Sequence, residues 1–200
     1  MAELDVYKTF TREQFLFYEM RCTARLLEEG LEEKEIITRV VEDNLFQYPT
    51  EKSTVRMVRA CLRRLKNMND VSLIRAIAEE PQDVAKQICL YAMIVEYKVI
   101  RDFMVTVIGE KYRVGDNSFG KIELNSFFSR LQSQNDIVAE WSEETIKKLK
   151  QVMLKLLVDA EYLDNTKSTV LNPVWLQPLL ENVIREKGDL ILLPAFNRFD

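Results

Sequence analysis

Between Lys52 and Lys66 the chain carries six basic residues and no acidic one. That segment holds +6 and leaves −10 on the rest of a chain whose formal net charge is −4, so the charges are segregated although the average is mildly acidic. Wound as a helix, Lys52, Arg56, Arg59, Arg63 and Lys66 share a stripe about 80° wide. Val58, Cys61, Leu62 and Leu65 occupy the far side, and Arg64 completes the basic set. The chemistry available to such a row is phosphate binding. Each phosphate neutralised releases counterions and adds affinity, and Arg, which outnumbers Lys four to two here, makes forked contacts to phosphate or guanine. Like charges three and four residues apart cost an isolated helix a few tenths of a kcal/mol per pair, so folding alone gives no reason to group them. The competing reading is a solvated face paired with acids of neighbouring helices, for which Glu28, Glu29, Glu32, Glu33 and Glu35 are available.

A second cationic set, Lys147, Lys148, Lys150 and Lys155, follows Glu143 and Glu144 at the spacing of helical ion pairs, which favours ordinary surface. If a β wing flanks this helix, its lysines become a second, positioning contact to DNA. Tyr18, Tyr91, Tyr97, Tyr112, Trp141 and Trp175 are dispersed through apolar stripes and read as core packing.

Catalytic signals are thin. The chain has no histidine, which removes the commonest general base and metal ligand at neutral pH. Cys22, Cys61 and Cys89 lack zinc spacing and read as buried, reduced thiols of a cytosolic protein. No phosphate-cradling glycine loop occurs. The expectation is a protein that binds and does not catalyse, with no cofactor and no metal.

The elements that must position these groups are helices. Apolar residues recur at three and four residue spacing nearly throughout, which predicts an all-α fold. A capping box at Thr11 and Gln14 predicts a first helix over 12–29 ended by Gly30, and a second follows over 32–44. The basic helix covers 51–67 and a short one 72–79. A long central helix runs from Pro81 to about Lys111, with Ala85, Ile88, Ala92, Val95, Val99, Phe103 and Val107 inward. The turn chemistry of 113–120 divides an N-terminal lobe, 1–112, from a C-terminal lobe, 113–200. Beyond it come helices over 123–134, 143–161 behind Ser142, and after Asn172 and Pro173. The β-prone runs 164–171 and 189–196 could pair as a small hairpin of the winged-helix kind.

The start MAELDVYKTF has neither the basic beginning nor the apolar stretch of a secretory leader, so a cytoplasmic location is expected. The longest uncharged run in mid-chain, Gln87 to Val95, is nine residues, against about 20 for a spanning helix. No membrane association is expected.

Several stretches together resemble the BrxA family of the BREX bacteriophage-exclusion systems. They are EDNLFQ from Glu42, the Arg-rich TVRMVRACLRRL from Thr54, AKQICLYA from Ala85, RDF from Arg101, EKY from Glu110 and WSEETIKKLKQV from Trp141. The resemblance spans roughly residues 20–185. It implies a bundle of about seven to eight helices similar to the NusB antitermination protein, encoded beside a methyltransferase and ATPases that protect a bacterium from phage. It also implies DNA binding, mapped onto Arg56, Arg59, Arg63 and Arg64; the leading reading is that the basic helix meets the phosphate backbone of duplex DNA with weak or no sequence preference. Two other readings stay open: an adaptor that scaffolds other BREX proteins, and a NusB-like RNA binder.

Overall fold

The computed structural model describes residues 6–199. Residues 1–5, on which the expectation of a missing leader partly rests, lie outside them. Eleven α-helical segments, one π-helical turn and one 3-10 turn make up the regular structure among the described residues. The all-α class is as expected.

The chain divides into two compact units at points the sequence does not announce. One is Phe15–Glu96, and the other collects the described residues of Met1–Gln14 and Tyr97–Asp200. The boundary therefore falls at Glu96 and Tyr97, not at the 113–120 turn.

The first unit holds α1 (Phe17–Glu28), α2 (Glu33–Glu42), α3 (Glu51–Met68), α4 (Val71–Glu79) and α5 (Gln82–Glu96). The first helix starts later than the Thr11 signal predicts, behind a left-handed Leu16 at φ 57°. Its end is as the glycine predicts. Gly30, at φ +86°, sends its N–H to Leu27 O while Leu31 N–H reaches Leu26 O, the paired bonds that satisfy the last carbonyls of a helix. Asn44 and Leu45 repeat the arrangement after α2. Local caps also start α3 and α4, where Thr50 accepts from Ser53 N–H and Asp70 from Leu73 N–H. Leu26, Ile36, Val40, Phe46, Met57, Val58 and Leu62 form one buried cluster, which seats α3 against α1 and α2.

The expected central helix is interrupted. Tyr97 adopts an extended conformation, φ −119° and ψ 106°, with its ring 5.0 Å from Phe10 and its hydroxyl bonded to the Glu13 carboxylate. Burying that tyrosine outweighs continuing a helix. The chain resumes as α6 (Lys98–Phe103), a π turn (Met104–Gly109) and α7 (Glu110–Arg113). Gly109 lies against Pro194 so closely that an added Cβ would sit 2.8 Å from the proline Cβ. The wider π turn presents its backbone to that contact.

The rest of the second unit comprises α8 (Lys121–Gln134), α9 (Asp136–Ala139), α10 (Glu143–Asp159), α11 (Pro178–Glu186) and the 3-10 turn Leu190–Phe196. The expected hairpin does not form. Leu190–Phe196 winds onto the π turn, and Val170 makes an isolated antiparallel bridge with Ser118 instead. Four consecutive apolar residues followed by Pro194 suit a turn buried on one side: Leu192, Leu193, Ala195 and Phe196 are buried. With no hairpin there is no wing beside α10.

Aromatic burial is mixed. Tyr91, Tyr97 and Tyr112 belong to the core, but Tyr18 and Trp175 are 59% and 80% exposed, contrary to the packing expectation, and Trp141 is half-buried.

Candidate nucleic-acid interface

The basic helix forms where predicted, and its far side is buried as predicted: Val58, Cys61 and Leu65 are fully buried and Leu62 nearly so. The six candidate cations do not share one environment. Lys52 and Arg59 are exposed and Arg56 is half-buried, and among the described residues none of the three makes a hydrogen bond or ion pair to a carboxylate. They span eight residues, seven helical steps or about 10 Å at 1.5 Å per residue.

The C-terminal half of the stripe is engaged. Arg63 Nε donates to Glu96 Oε1 at 2.7 Å, with the Glu96 side chain 2% exposed, and Asn67 Nδ2 donates to the other carboxylate oxygen. A carboxylate taken out of water is tolerated only when its oxygens are bonded, so Arg63 and Asn67 stabilise Glu96 as much as it holds them. Lys66 is 76% exposed and lies 3.8 Å from Glu33, a weak surface pair. Arg64 is corrected outright: it is fully buried and its Nη1 donates to the carbonyl of Phe15 at 3.2 Å. It cannot meet a ligand at the surface.

The acids expected to cover the stripe are mostly occupied elsewhere. Glu28 pairs with Arg75 and Glu29 with Arg39, while Glu35 accepts the Glu32 N–H at the start of α2. The residue that sequence reasoning missed is Glu96. Its signal was a lone carboxylate closing an apolar helix, a position where a charge is kept only with partners.

The second cationic set also splits. Measured around α10 at 100° per residue, Lys147 and Lys150 point to one side with Ile146 and Leu154, whereas Lys148 and Lys155 lie roughly opposite. Lys150 Nζ donates to Asn125 Oδ1 at 2.9 Å and Lys155 Nζ to Gln14 Oε1 at 2.9 Å. Lys147 and Lys148 make none of the expected pairs with Glu143 and Glu144.

The thiols are free, with Cys61 and Cys89 buried and Cys22 half-buried. Among the described residues no helix is long and apolar enough to cross a membrane.

Comparison with known proteins places this geometry in a family. The chain is 33% identical over 196 residues to the BREX protein BrxA of Bacillus cereus (strain H3081.97), covering 96% of this chain and 97% of that one. It is 25% identical over 175 residues to the BREX protein BrxA of Escherichia coli O9:H4 (strain HS), covering 88% and 82%. A crystal structure of an uncharacterized protein from Magnetospirillum magneticum has a similar fold, with a TM-score of 0.79 and 20% identity over 95% of this chain and 97% of that one. The BrxA family profile matches residues 7–188, and with these relatives it shows that the chain belongs to the BrxA family.

Proposed function

We propose that the chain is a non-catalytic, DNA-binding component of a BREX phage-defence system, which contacts the phosphate backbone through the N-terminal half of α3. The carrying observation is that Lys52, Arg56 and Arg59 lie along one side of a well-anchored helix without carboxylate partners, in a chain that is acidic elsewhere. Lys66 joins them when phosphate displaces the distant Glu33 carboxylate. Arg63 stays with Glu96 and Arg64 stays in the core.

This footprint is smaller than the bare stripe suggests. Five or six phosphates correspond to a slope of log K against log salt of about −4.5 to −5.4, whereas three or four correspond to about −2.7 to −3.6. A short row of backbone contacts positions a duplex and carries no base code, which fits weak sequence preference. The protein acts in the cytoplasm with other BREX proteins, and its bundle is NusB-like with DNA in place of RNA.

Mobility-shift titrations of a duplex at several salt concentrations test the reading. A slope near −3 supports it, and an affinity indifferent to salt overturns it. Competition with an RNA duplex of the same sequence separates the DNA reading from an RNA one.

A further inference from the structure

A groove of about 490 Å³ lies between α8 and α10, within the second unit. Its floor is apolar: Leu124 and Ile146 are buried and Leu154 is half-buried beside them. Its rim is cationic. Lys121 at the start of α8 and Lys147 on α10 are exposed and have no hydrogen-bond or ion-pair partner among the described residues. Lys150, bonded to Asn125 and lying 5.8 Å from the Phe128 ring centroid, keeps further ammonium protons to donate. Glu143 is the one acidic lining residue, against three lysines.

This chemistry differs from that of α3. A phosphate row is met by cations on a convex face, whereas here the cations border a concave strip that hides aliphatic carbon. An apolar groove between two helices accepts the apolar face of a third helix, read as anchors at i, i+3, i+4 and i+7. Positive borders select carboxylates on the flanks of that helix and set its register. Among the described residues Lys121 and Lys147 have no internal partner to lose on substitution, unlike Lys150.

We propose that the groove between α8 and α10 binds an acidic amphipathic helix of a partner protein, with its aliphatic face on Leu124, Ile146 and Leu154 and its carboxylates on Lys121, Lys147 and Lys150. The proposal does not rest on the phosphate reading of α3, because the two surfaces share no residue.

The test uses the full chain and a fluorescein-labelled synthetic helix of about 18 residues, with Leu at i, i+3, i+4 and i+7 and Glu on both flanks. Anisotropy titration should show binding that weakens roughly tenfold or more in Lys147→Glu/Lys150→Glu, is unchanged in Lys52→Glu/Arg59→Glu, and is lost when the peptide Leu residues become Ser. Lys121→Glu reads the same groove from the other helix and should weaken binding without altering thermal unfolding. No binding, or binding indifferent to the groove substitutions, overturns the proposal. So does a groove variant that loses duplex DNA while keeping the peptide, which would return these lysines to phosphate.

Discussion

Arg63 and Glu96 form an ion pair at 2.7 Å in which the carboxylate is 2% exposed and the guanidinium side chain 42% exposed. The pair binds the basic helix to the last residue of the first unit, and it divides the stripe into a structural half and an available half. Removing Arg63 leaves a buried carboxylate still bonded by Asn67. Arg63→Ala should therefore destabilise the protein by about 1–3 kcal/mol. Lys52→Ala and Arg59→Ala, at exposed positions, should stay within about 0.5 kcal/mol of the parent. Urea denaturation of the three variants checks the contrast, and equal midpoints would remove the structural role from Arg63.

The same division selects the variants that probe DNA binding. Reversing Arg63 would set two carboxylates together and confound fold with function. Lys52→Glu/Arg59→Glu leaves the buried pairs intact, so the unfolding midpoint should hold while duplex affinity falls at least tenfold, with a shallower salt dependence. Mobility shifts at low salt, read beside circular dichroism, decide it. Undiminished binding would move the interface away from α3.

Gly109 offers a test of the π turn. Alanine is the better helix former by about 1 kcal/mol, and Gly109 has ordinary helical dihedrals, φ −61° and ψ −42°. Yet the new Cβ would meet Pro194 Cβ at 2.8 Å. Overpacking of that kind costs about 1–3 kcal/mol, so Gly109→Ala should lower the thermal midpoint. A raised midpoint would show that the 3-10 turn moves aside without cost.

Alkaline pH should weaken the fold through its buried thiols. Burial pushes the Cys61 thiol up from the usual 9.0 to about 12, and burial raises Cys89 as well. The unfolded chain ionises first, so this contribution is fully present below about pH 9 and is lost as pH rises toward about 12. Urea midpoints between about pH 8 and 10 should fall with a slope that Cys61→Ala reduces. Parallel profiles for parent and variant would exclude the thiol as the cause.

Much of this protein was legible where a signal and its consequence lie within a few residues of one another. Ser142 caps the helix that follows it, and Gly30 ends α1. The apolar side of α3 is buried as its spacing requires. Where local signals failed, a remote group had the stronger claim. Thr11 and Gln14 do not start a helix, and Tyr97 leaves the helical path to meet Phe10 and Glu13. The β-prone Leu190–Phe196 winds as a 3-10 turn onto Gly109.

By itself, then, the sequence determined the helical class, most helix ends and the segregation of positive charge onto α3, because caps and hydrophobic spacing act over one or two turns. The tertiary structure decided which of those charges face outward unpaired. Glu96 is 33 residues from Arg63 in sequence and the Phe15 carbonyl 49 from Arg64, and only packing brings them into hydrogen-bond reach. Once there, a buried carboxylate or guanidinium is so costly to leave unbonded that it holds its partner in place, whatever face of the helix the spacing assigns to it.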